Sequence, residues 1–108
     1  MLKRVYVSQQ IRDAPEADIL KTREICLDLA KGFFPDDEII EVPKFEMAKV
    51  RGLHPARILG MSIELMSDAD LVIFAEGWQY ARGCRIEHRV CQDYNIPYKE
   101  ISGWCERR

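Results

Sequence analysis

Residues 70–75 (DLVIFA) limit the fold of this chain more than any other stretch. The apolar run from Leu71 to Ala75 is continuous, as in a strand of a sheet covered on both faces. Sheets of that kind are parallel, and parallel neighbours need crossover helices between them. The rest of the chain supplies the alternation. Residues 3–8 (KRVYVS) and 38–42 (EIIEV) read as further strands, the second closed by Pro43, and residues 97–101 as a fourth.

Helical patterns fill the spaces between these strands. Asp13-Ala14-Pro15-Glu16 reads as a helix start, with Asp13 as cap and Pro15 in the first turn. The helix that follows places Ile19, Cys26, Leu29, Ala30 and Phe33 on one stripe, and Gly32 suits its C-terminal end. Residues 44–54 have no clear period and read as a long loop. A helical pattern resumes from Pro55 through Leu59, Ile63 and Met66, and a third helix covers residues 81–94. The expected fold class is therefore α/β: a small three-layer Rossmann-like (flavodoxin-like) domain with a mainly parallel four-stranded sheet and right-handed crossovers.

A chain of 108 residues bounds this to a single domain over residues 1–108. Its formal charge of −2 argues against an electrostatic grip on polymeric nucleic acid or on an acidic membrane. No apolar run approaches the roughly 20 residues that span a bilayer. Cys26, Cys84, Cys91 and Cys105 form no CxxC pair and no Cys/His metal spacing, so neither a metal nor a cofactor is expected. With no signal-like N-terminus, the cysteines read as reduced thiols of a cytoplasmic protein.

In such folds ligands bind beyond the carboxyl ends of the strands. The segments there are Ser8-Gln9-Gln10, the loop after Val42, and Glu76-Gly77-Trp78-Gln79-Tyr80. The last runs into the third helix, where Gly83, Cys84, Val90, Cys91 and Tyr94 gather on one face with Glu87 in their midst. A carboxylate on a face meant for burial needs a partner or a task. Trp78 reads either as a core side chain or as a wall for a ligand base, and the wall is favoured slightly. Gly83 allows close approach of a ligand or close packing of helix on strand. Arg82 and Arg85 flank a helix N-terminus that favours anions, although solvated surface charge is the plainer reading for Arg85. His54 and His88 read as surface histidines.

The strand of residues 70–75 followed by Gly77-Trp78, Ala81-Arg82-Gly83 and Glu87 resembles the nucleoside 2-deoxyribosyltransferase superfamily. The likeness is nearest to its small uncharacterised branch with a GW..S.GA..E motif. Tyr6-Val7-Ser8 is similar to that family's N-terminal strand end. The resemblance implies Glu87 as the nucleophile at the anomeric carbon of a deoxyribose, with Tyr6 orienting it. It also implies Ser8, Ser62, Gly77, Trp78, Arg82 and Gly83 as substrate-binding positions. Gln9-Gln10 stands where the family opening has Gly-Pro, Ser62 where transferases carry an aspartate, and Ala81 where they carry Asp or Ser.

The function expected on this basis is 2-deoxyribosyl transfer or deoxynucleoside N-hydrolysis, acting on a nucleoside or nucleoside monophosphate. The alternative is a non-catalytic nucleotide-binding module of the same fold. The resemblance further implies a homodimer or larger homo-oligomer, with Trp104 of the tail at or near the contact.

Overall fold

The computed structural model describes residues 1–11, 14–42 and 47–101, with the side chains of residues 47 and 48 excepted. In chain order the elements are β1 (Leu2–Ser8), α1 (Glu16–Phe33), β2 (Glu38–Glu41), α2 (Met47–Val50), α3 (Pro55–Met66), β3 (Leu71–Phe74), a 3₁₀ turn (Trp78–Tyr80), α4 (Arg82–Asp93) and β4 (Tyr98–Glu100). The four strands form one parallel sheet in the order β2-β1-β3-β4. The α/β Rossmann-like class expected from the sequence is the one observed.

Burial explains the layering. Val5 and Val7 of β1 join Leu71, Ile73 and Ala75 from the β3 segment in a cluster closed by Cys26 and Ala30 of α1. Tyr6, Val72 and Phe74, one residue out of phase, point to the opposite face and pack with Met66 of α3 and Cys91 of α4. All four residues of β3 are buried, which is why its sequence carries no alternation. The connection from β1 to β2 leaves on the α1 face, and the connections onward to β3 and β4 run over the other face. The sheet therefore reverses its direction of growth between β1 and β3. Ser8 stands level with Phe74, so these two strands end side by side.

Several local expectations need correction. The segment of residues 44–54 is not wholly irregular, because α2 occupies Met47–Val50 within it. Helix α1 begins at Glu16 with Pro15 in the cap position and no side-chain cap. Asp13, like Pro43, lies outside the described residues. Gly32 falls inside the last turn of α1 rather than after it. The stripe drawn on α1 is half right. Cys26 and Ala30 are fully buried, whereas Leu29 and Phe33 are 41% and 46% exposed, beside Ile25 at 49%. The helix is rotated so that its small residues, not its large ones, meet the strands. Tyr94 lies past the end of α4 and is also exposed, not on the buried face.

Candidate functional site

Glu87 lies in the second turn of α4 and is only 5% exposed. Two hydroxyls from β1 reach it across the sheet face. Tyr6 donates from its phenol to Oε2 at 2.9 Å, and Ser8 donates to Oε1 at 2.6 Å. Period two along β1 puts both donors on the α4 side, so a single strand fastens both carboxylate oxygens. Ser62 of α3 is hydrogen-bonded to the Tyr6 side chain. The structure thus brings together Tyr6, Ser8, Ser62 and Glu87.

Electrostatics follow from this burial. The Tyr6 phenol is pushed well above its ordinary range, first by desolvation and then by the Glu87 charge and the hydrogen bond donated to it. It is therefore a proton donor to Glu87 and not an anion. The Cys91 thiol, one turn beyond Glu87 on α4, is pushed up to about 12, mainly by burial and secondly by Glu87. Cys26, Cys84 and Cys91 are all free and buried.

The remaining positions take other parts. Gly77 has φ 88°, a left-handed conformation that side-chain-bearing residues adopt at a cost, and this turn sends the chain from β3 into the 3₁₀ turn. Trp78 is not arranged as an open wall. Its ring stacks on His88 at 4.1 Å with an interplanar angle of 12°, and it also touches Phe74. His88 is accordingly no surface histidine. Its side chain is 12% exposed, lies edge-on to Phe74 and Tyr98, and reaches Glu100 Oε2 at 2.6 Å. This box ties the loop after β3, α4 and β4 together. Gly83 is a packing glycine on one side at least: a β-carbon there would stand 3.8 Å from Leu59 of α3. Arg82 is exposed, and exposed Arg85 donates to the Gln79 carbonyl. His54 is at the surface, where it caps α3 by accepting from the Ala56 amide.

A cavity of about 310 Å³ opens at the ends of β1 and β3, lined by Gln9, Gln10, Ala14, Asp18, Ile19, Thr22 and Glu76. Another of about 390 Å³ lies at the start of β4, lined by Cys91, Gln92 and residues 95–98. Glu87 is not among the lining residues of either. The first cavity occupies the point where the sheet changes its direction of growth, which is where open α/β sheets bind ligands. Gln9 is the residue whose role sequence reasoning missed. Gln9 is buried, its Nε2 donates to the Ile19 carbonyl at 3.1 Å, and its Oε1 has no hydrogen-bond partner among the described residues. The available signal was the amide at a position where the resembling family has glycine.

Among the described residues no group of three His, Cys, Asp or Glu side chains could hold a metal ion, and no described helix is long and apolar enough to cross a membrane. In comparisons with known proteins, the chain matches no family model, no curated protein and no solved structure.

Proposed function

We propose that this protein acts on the N-glycosidic bond of a nucleoside or nucleoside monophosphate, as a 2-deoxyribosyltransferase or deoxynucleoside N-hydrolase. The observation that carries the reading is the clamp on Glu87. A buried carboxylate receives one hydroxyl hydrogen bond on each oxygen, from Tyr6 and Ser8, and stands close behind the carboxyl ends of β1 and β3. Such bonds favour the charged form and fix its orientation, the two requirements of a carboxylate nucleophile. In the step proposed, a Glu87 oxygen bonds to the anomeric carbon while the carbon–nitrogen bond breaks. The base departs with the bonding electrons and takes a proton from solvent. Water then cleaves the glycosyl ester in hydrolysis, or a second base does so in transfer. The transition state is oxocarbenium-like, so a negative group beneath the ring stabilises it.

A second reading has its own support. Glu87 is 5% exposed and lies outside the lining of the crevice cavity, as expected for a carboxylate that holds β1 to α4 in a nucleotide-binding module without turnover. Incubating the full-length protein with deoxynucleosides and following free base by chromatography separates the two. The enzyme reading expects base release by wild type and none by Glu87→Gln, whose amide keeps the shape but is no nucleophile. Release unchanged in the variant defeats the assignment to Glu87. No release by wild type favours the module.

The same reading includes a cytoplasmic setting and assembly as a homodimer. The exposed Ile25, Leu29 and Phe33 of α1 support the assembly. Lys21 and Asp28 flank that stripe on one side, so an antiparallel pairing of two α1 helices would set each lysine opposite the other copy's aspartate. Trp104, proposed at or near the contact, lies outside the described residues.

A further inference from the structure

The cavity at the ends of β1 and β3 has a chemistry that its position alone does not dictate. Three facts converge on it. Its volume of about 310 Å³ is at the lower end of the ~300–1,000 Å³ typical of small-molecule sites. It straddles the two adjacent strands whose outgoing connections diverge, with Gln9 and Gln10 following β1 and Glu76 following β3. Gln9, more than nine-tenths buried, presents a carbonyl oxygen without a partner. An amide oxygen left unpaired in this way is costly, and a ligand N–H or O–H would satisfy it.

The charges around the cavity decide what kind of ligand fits. Asp18 of α1 and Glu76 both line it, and no lysine or arginine is among its lining residues. The first turn of α1 carries Glu16 as well as Asp18, so the end of the helix that would otherwise attract a phosphate is already supplied with negative charge. Ala14, Ile19 and Thr22 add two apolar surfaces and one hydroxyl.

We infer that this cavity binds the uncharged, hydroxyl- and amino-bearing part of its ligand through Gln9, and that it selects the free nucleoside over its 5′-monophosphate. The inference rests on the nucleoside reading of the crevice and narrows it: the substrate class is the unphosphorylated nucleoside. Gln9 acts as an acceptor for a ligand hydroxyl or exocyclic amine, and Asp18 and Glu76 repel a phosphate.

Isothermal titration of the full-length protein with 2′-deoxyadenosine, 2′-deoxyadenosine 5′-monophosphate and free deoxyribose tests this. The nucleoside is expected to bind about tenfold or more tightly than the monophosphate. Gln9→Leu is expected to weaken the nucleoside by about tenfold, the equivalent of one good hydrogen bond. Asp18→Asn, an exposed and nearly isosteric change, is expected to strengthen the monophosphate and leave the nucleoside within about twofold. Circular dichroism confirms that each variant is folded, and the Asp18 comparison stands even if Gln9→Leu is not. Equal or tighter binding of the monophosphate, unaltered nucleoside affinity in folded Gln9→Leu, or binding of neither compound overturns the inference. Deoxyribose binding as tightly as the nucleoside assigns the cavity to the sugar alone and also overturns it. Base release by wild type that Glu87→Gln abolishes would keep the enzymatic reading even then. Discrimination against the monophosphate without base release would keep the cavity and sink the enzyme.

Discussion

Glu87 makes sense only together with the two hydroxyls that hold it. A buried carboxylate deprived of one donor keeps its desolvation cost and loses part of its compensation. Tyr6→Phe removes the 2.9 Å bond to Oε2 and also strips Ser62 of its partner on the ring. The expected loss is about 1–3 kcal/mol of stability near neutral pH. In a Glu87→Gln background the same substitution is expected to cost less by about 0.5–3 kcal/mol, because the group that needed the donor is no longer charged. Urea denaturation of the four proteins of the cycle measures this coupling. An identical cost in both backgrounds would show that Tyr6 is held by packing alone and does not orient Glu87.

Helix α4 carries the charge of the site on an otherwise unpolar face, and its buried thiol reports on that. Cys91 packs against Met66 of α3, Sγ to Sδ 3.9 Å, with Glu87 one turn away. Burial and the Glu87 charge raise its pKa from the ordinary 9.0 to about 12. A folded-state value above the unfolded one means that the unfolded chain loses its proton first. The stabilisation from the neutral thiol is therefore complete below about pH 9 and is lost as pH rises from 9 towards 12. Urea titrations at several alkaline pH values, on wild type and Cys91→Ala, isolate this contribution, since Tyr6 and Glu87 are common to both. The stability advantage of wild type is expected to hold up to about pH 9 and shrink above it. Parallel curves through pH 11 would mean that the thiol is not coupled to the carboxylate.

At the scale of the molecule, only α1 of the described helices covers the face of the sheet opposite α3 and α4. It does so with Cys26 and Ala30, leaving Ile25, Leu29 and Phe33 each at least 40% exposed. Phe33 has only the ammonium of Lys99 near its ring, 5.3 Å from the centroid. Light scattering is expected to give twice the 12.6 kDa chain mass. Leu29→Glu should shift the protein towards monomer, Lys21→Asp should weaken the dimer, and Lys21→Asp combined with Asp28→Lys should restore it. A wild-type monomer at high micromolar concentration refutes the assembly. A dimer indifferent to these changes, but lost on truncation after Ser102, would move the contact to the tail.

By itself the sequence determined the order of elements, the parallel sheet and the burial of Glu87. Each of these is written in local periodicity: an unbroken apolar run for a strand covered on both faces, and a 3.6-residue repeat that placed Glu87 among Gly83, Cys84 and Cys91. The Tyr6 and Ser8 partners were legible only through the family likeness, because nothing local to β1 points to a residue 81 positions away. Tertiary structure alone decided the rest. His88 looked exposed because its neighbours on α4 are charged, yet Trp78, Phe74 and Tyr98 arrive from β3 and β4 to enclose it. Trp78 read as a ligand wall because the ring it stacks on belongs to a different element. Gln9 gave no sign of its unpaired oxygen, since that depends on where α1 sits. Periodicity tells which side of an element avoids water; it carries no record of which side chain from elsewhere in the chain will meet it there, and that meeting is what makes a site.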